Sequence, residues 1–254
     1  VATAIGSPGA SDALPAGAAG TLPPAVRDPL VRALAVPDAA LQFAAARTLA
    51  VAAGDPPYRG SSRVIETLLY AATSTGTDRV VVAHPDAEVV QALAAGVSRF
   101  GYEPVRVSTG REAVFAARAS ADTVLVLLAA RIPKPTAIET VQFLAQQGLG
   151  DIPPVLVVVD PLDDDGRGKY LTRLLLSFCE FEGVGLIDRL ESLFLPGVDP
   201  ETGKTIGPPR FPDLLAQTAG PGAVDPTTRN TAAAVRLARA REAAEVASAA
   251  KSRF

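Results

Sequence analysis

Tryptophan and methionine are absent from this 254-residue chain, cysteine and histidine occur once each, and aromatics make up only 5%. A single cysteine, Cys179, excludes an intramolecular disulfide framework, and its place in the apolar run 174–179 reads as a buried structural thiol. With one histidine and no nucleophile-elbow motif, no Ser-His-Asp or Cys-His arrangement can be assembled. No apolar run approaches the ~20 residues needed to cross a bilayer. No charged segment followed by an apolar one opens the chain as a leader would. A net charge of -3 leaves no overall basic footprint for nucleic acid. These absences point to a cytoplasmic protein that engages neither membrane nor nucleic acid. The missing methionine, with Val1 at the start, suggests a processed protein or a fragment of a longer one.

What is present is aliphatic. Hydrophobic residues reach 48% and charged residues 20%, a balance that excludes a wholly disordered chain and leaves Ala, Val and Leu to build the core. At ~150 residues per domain the length accommodates one to two folded units. Residues 1–24 are mostly Ala, Gly, Ser and Pro without period and read as a flexible linker. Residues 25–76 carry three short helical patterns. Val26, Leu30, Val31 and Leu34 share one helical face, Pro37-Asp38 breaks and caps, and an Ala-rich helix runs over 39–52. Gly54-Asp55-Pro56-Pro57 stops it, and Ser61-Ser62 is expected to cap a third helix bearing Val64, Ile65, Leu68 and Leu69. The segment 31–50, with its Pro-Asp turn and small-residue helix, resembles a HEAT-type repeat. Fewer than ~3 such repeats do not make a stable solenoid, so the resemblance implies either lost repeats or packing on a neighbouring domain.

From residue 77 to 218 strand and helix alternate. Val80-Val81-Val82, 104–107, 123–128, 154–159 and 184–187 read as buried strands, with amphipathic helices between them. The expected fold is α/β, a five-stranded doubly wound parallel sheet of flavodoxin type behind an N-terminal all-α segment. A polar loop is expected near 196–212, then a short helix over 211–218. Residues 219–254 form an Ala-rich C-terminal linker or helix. Asp225-Pro226-Thr227-Thr228 can cap it, but Val235, Leu237 and Val246 are too few for a strong apolar stripe.

The strand order, together with Phe100-Gly101-Tyr102-Glu103-Pro104-Val105 and Thr109-Gly110-Arg111-Glu112-Ala113, resembles the receiver domain of response regulators. The resemblance covers about 79–189. It implies an acidic pair after the first strand holding Mg²⁺ and an aspartate ending the third strand as phosphoacceptor. Here the first positions read His84 and Pro85, with Asp86 one step on, and the phosphoacceptor position, counted back from Pro133, is Ala129. The switch hydroxyl and lysine positions fall on Val159 and near Ile187-Asp188. The resemblance therefore implies a degenerate, non-enzymatic pseudo-receiver, an interaction or signalling module with a protein partner and no cofactor or metal.

Two other readings remain open. His84, Asp86 and the acidic loop Asp160, Asp163, Asp164 and Asp165 fall at the carboxyl edge of the sheet, where α/β ligands gather. A divergent metal- or nucleotide-dependent enzyme could use those oxygen donors, although the same acids equally read as a solvated loop capping the next helix. A structural helical-repeat scaffold is the other alternative. Gly203-Lys204-Thr205 lacks the upstream glycine of a phosphate loop, because Val198 stands there.

Overall fold

The computed structural model describes residues 22–52, 58–146, 150, 153–158, 185–187, 197–198, 205–207, 210–219 and 223–251. Three helices come first: α1 (Pro24–Ala33), α2 (Ala39–Ala52) and α3 (Ser61–Ala71). Asp38 starts α2 by accepting a hydrogen bond from the Leu41 amide at 2.8 Å. The third helix departs from expectation, because Gly60 in the left-handed conformation is its cap and Ser61 lies inside it. A Cβ on Gly60 would stand 2.7 Å from a Val31 methyl, so the turn that closes α3 onto α1 requires glycine. The unstructured reading of 1–24 ends early: Leu22 packs on the helical core and its amide donates to the Ala52 carbonyl. Residues 1–21 lie outside the described set.

The α/β part follows as β1 (Arg79–Ala83), α4 (Ala87–Arg99), β2 (Glu103–Val107), α5 (Gly110–Arg118), β3 (Thr123–Ala129), α6 (Ala137–Ala145), β4 (Val155–Val158) and the short β5 (Gly185–Ile187). The sheet is parallel in the order β2-β1-β3-β4-β5, the flavodoxin-like doubly wound order. Alternate side chains feed opposite layers. Val81, Ala83, Val126, Leu128, Val155 and Val157 pack under α5 and α6. Val80, Val82, Leu125, Leu127, Leu156 and Val158 pack under α4. Two capping boxes set helix starts on the first face: Thr109 with Glu112 for α5, and Thr136 with Glu139 for α6.

The loop expected over 196–212 contains a small antiparallel ladder of β6 (Gly197–Val198) and β7 (Thr205–Gly207). Helix α7 (Arg210–Ala219) then places Phe211 and Leu215 in the α4-side core, with Phe211 edge-on to Tyr102. Last comes α8 (Pro226–Lys251), started by Asp225, whose carboxylate accepts from the Thr227 and Thr228 amides. It is not an exposed tail. Ala240, Ala243, Ala247 and Ala250 are buried, and the helix packs along α2 and α3. Alanines permit that close approach where a leucine stripe would hold the helices apart. The helical core therefore unites α1, α2, α3 and α8 around Leu34, Phe43, Leu49, Val64 and Leu68.

Candidate functional site

At the carboxyl edge, β1 and β3 end where the chain departs to opposite faces, the switch point at which ligands of open α/β sheets bind. The sequence candidates divide there. His84 is 5% exposed; its amide donates to the Val107 carbonyl at 3.1 Å, and its Nδ1 accepts from the Asp86 amide at 3.0 Å. Asp86 is taken up by the helix that follows. Its Oδ1 accepts from Glu88 and Val89 amides at 2.8 and 3.4 Å, the N-cap of α4. The pair is thus joined by a helix cap, and His84 braces the turn that leads into it. Ala129 ends β3 at 2% exposure, a methyl group among buried aliphatics. Asp160, Asp163, Asp164, Asp165 and Cys179 lie outside the described residues. Among the described residues no three His, Cys, Asp or Glu side chains converge as a metal-binding group.

The loop after β3 closes over this edge. The Gly110 amide donates to the Pro133 carbonyl and the Arg111 amide to the Lys134 carbonyl, at 3.0 and 3.2 Å. Thr140 Oγ1 donates to the Thr136 carbonyl at 2.8 Å. A Cβ at Gly110 would lie 2.3 Å from Thr140 Oγ1 and 2.6 Å from the Pro135 carbonyl oxygen. Glycine is therefore what lets the α5 start and the 130–136 loop touch.

The opposite, amino edge holds a charged cluster that sequence reasoning missed. Asp78 and Asp122 stand immediately before β1 and β3, 8% and 0% exposed. Two arginines of α8, one on each of two turns seven residues apart, reach them. Arg229 Nε lies 3.2 Å from Asp78 Oδ2, and its other nitrogens donate to the Phe100 and Gly101 carbonyls at the end of α4. Arg236 bridges both acids, bonding Asp78 and lying 3.0 Å from Asp122 Oδ1. The Arg229 guanidinium also stacks 3.9 Å above the Tyr102 ring, whose hydroxyl donates to the Ala223 carbonyl. Burial raises the Tyr102 hydroxyl pKa, against the opposing effect of Arg229.

Asp122 is the hub. It accepts from Ser74 Oγ at 2.6 Å, from the Thr75 and Gly76 amides at 2.5 and 3.2 Å, and from Thr75 Oγ1 at 3.1 Å. Burial acts to raise its pKa, but the hydrogen bonds from Ser74, Thr75 and Arg236 outweigh burial and hold it below the ordinary aspartate value. A cleft of about 660 Å³ adjoins this cluster, between α2, α3, α8 and the starts of the strands. Gln42 closes one end, 1% exposed, donating to the Val36 carbonyl and accepting from the Gly150 amide at 2.7 Å. Two signals in the chain mark the cluster: an aspartate directly before each of two buried strands, and Arg229 and Arg236 at i,i+7 on one helix face.

No protein-family profile matches the chain, and no curated protein matches it. Solved structures similar to it include the signal receiver domain of a modulated diguanylate cyclase from Desulfovibrio desulfuricans G20. That match has 15% identity, 45% of this chain, 82% of that chain and a TM-score of 0.35. The chemotaxis response regulator CheY4 of Vibrio cholerae matches at 18% identity over 40% of this chain and 98% of its own, with a TM-score of 0.31. A response regulator protein from Burkholderia multivorans matches at 19% identity over 49% and 87%, with a TM-score of 0.33.

Proposed function

We propose that this chain is a non-enzymatic signalling module, a pseudo-receiver joined to a HEAT-like helical segment, which works by binding a protein partner. The observation that carries the reading is the carboxyl edge. Aspartyl phosphorylation needs a nucleophilic carboxylate and a metal held by oxygen donors. Ala129 ends β3 with a methyl group in place of a carboxylate, His84 Nδ1 is engaged by the Asp86 amide, and Asp86 is committed to capping α4. Surface apolarity supports the binding role. Phe115 and Phe143, 77% and 47% exposed, stand on α5 and α6, which pack side by side.

The test is chemical. Incubating the full chain with acetyl phosphate, or with beryllofluoride and Mg²⁺, leaves its intact mass and its amide NMR spectrum unchanged. A stoichiometric aspartyl adduct overturns the reading. Calorimetric titration with Mg²⁺, Ca²⁺ and nucleotides separates it from a metal- or nucleotide-dependent enzyme. Binding tighter than ~0.1 mM that is lost in Asp164→Ala favours the enzyme.

A further inference from the structure

The amino-edge cleft has features that a simple seam between packed parts does not need. Its volume, about 660 Å³, lies within the ~300–1,000 Å³ of small-molecule sites. Among the described residues its charged lining is Asp78, Arg229, Arg236 and Arg239. The first three are consumed in the cluster with Asp122, but Arg239, half-buried one turn beyond Arg236, has no ion pair among the described residues. A guanidinium in a partly enclosed site without a counter-charge attracts an anion, and its planar fork fits a carboxylate or phosphate through two parallel hydrogen bonds. Two hydroxyls are also unmatched. Thr67, 3% exposed, and Thr123 both line the cleft, and the Oγ1 of each lacks a hydrogen-bond partner among the described residues. Buried hydroxyls are normally paired, so an acceptor brought by a ligand would relieve a standing deficit. The remaining described wall mixes apolar residues, Phe43, Val124 and Val235 among them, with the polar side chains of Gln42, Tyr70, Ser74, Tyr102 and Thr228.

We propose that this cleft binds a small organic anion, a molecule with one carboxylate or phosphate group on a compact body, with Arg239 as its charge partner and the Thr67 and Thr123 hydroxyls as further contacts. The ligand would touch α2, α3, α8 and the strand starts together, so its occupancy tightens the seam between the helical part and the sheet. The inference stands apart from the pseudo-receiver reading, because it uses the opposite edge of the sheet and no phosphoryl chemistry.

Phenyl phosphate and benzoate are the probes, each an anion on an apolar ring, with phenol as the neutral control. Titrated into the full chain by calorimetry, at least one of the two anions binds saturably at one site, and phenol binds at least about tenfold more weakly. Arg239→Gln weakens the anion about tenfold or more, whereas Arg241→Gln, an exposed arginine on the same helix, changes it less than about twofold. Amide NMR on the unaltered chain gives an independent reading, with shifts at Thr67, Thr123, Gly150 and Ala232 and none at Phe115. Failure of both anions to bind at about 10 mM overturns the proposal. So does equal weakening by the two arginine variants, which marks diffuse charge attraction. Shifts confined to another surface overturn it whether or not Arg239→Gln folds.

Discussion

Asp122 should be the costliest single polar residue to remove from this chain. Truncating it to alanine deletes the acceptor for Ser74 Oγ, the Thr75 and Gly76 amides and Thr75 Oγ1, and one of the two carboxylates bound by Arg236. Asp122 itself is fully buried and Ser74 is 7% exposed, so water does not readily replace the lost acceptor. Removing one partner of a buried ion pair costs about 3–5 kcal/mol. Arg236 keeps Asp78, which places the expectation near the lower end, about 3 kcal/mol. For a chain of this size each kcal/mol moves Tm by about 2–4 °C, so Asp122→Ala should melt about 6–12 °C lower. Asp122→Asn retains shape and one acceptor oxygen but turns an NH₂ toward donors, and should lose about half as much. Guanidinium unfolding of the full chain, followed by circular dichroism at pH 7, measures both. A double-mutant cycle with Arg236→Ala should return a coupling above about 1 kcal/mol. A loss below about 1 kcal/mol in Asp122→Ala, or no coupling, would refute the assignment of this cluster as the joint between α8 and the sheet.

Three further outcomes rest on the same hydrogen bonds and packing. Asp122, Glu112, Glu139 and Asp225 are all more acidic in the folded chain than ordinary carboxylates; the surface three are held down by hydrogen bonds at helix starts, Glu112 by Ser108, Glu139 by Thr136 and Asp225 by Thr228. The unfolded chain then binds more protons in acid, so this stability is intact above about pH 4.5 and drains away as pH falls through the folded values; Asp122→Asn flattens the acid limb of a Tm-against-pH curve. Gly110→Ala should cost about 1–3 kcal/mol by denaturant unfolding, because the new Cβ meets the Pro135 carbonyl as well as Thr140 and only the latter can rotate away. Thr109→Ala and Thr136→Ala should each cost about 1 kcal/mol, with the larger loss of amide protection from hydrogen exchange in the first turn of the helix that each residue caps.

The sheet was legible because its strands are unbroken aliphatic runs. A stretch such as Thr123–Ala129 has no solvent face, and only a layer covered on both sides accepts it. Helix starts were legible where a side chain does the capping, as at Thr109, Thr136 and Asp225, and misread where backbone geometry does it, as at Gly60. The carboxyl-edge candidates His84 and Asp86 were found by position, yet position does not reveal that each uses its polar atoms on the other or on α4. The hairpin of β6 and β7 was missed because its strands are two and three residues long, too short to show alternation.

The greatest departure is α8, and its cause reaches beyond one helix. Apolar periodicity detects a helix that is held by large side chains, and α8 has few of them. It is held instead by alanines, which gain little from burial individually but admit α2 and α3 at close range, and by arginines directed at two buried carboxylates. Arg47 and Glu242 add an ion pair at 2.8 Å between α2 and α8, half-exposed and therefore a weak contributor beside the buried cluster. Such a helix leaves two kinds of trace: small residues at helical spacing, Ala240, Ala243, Ala247 and Ala250, and cations spaced to meet acids far away in the chain. The acids are 151 and 114 residues distant from Arg229 and Arg236 respectively, so no local window joins them. Because α8 contributes both to the helical core and to the strand starts, the two parts that the sequence separates into a repeat-like segment and a receiver-like sheet share one closing element. Loosening Arg229 or Arg236 should therefore lower the stability of both together, and a ligand seated against Arg239 would act on the same seam.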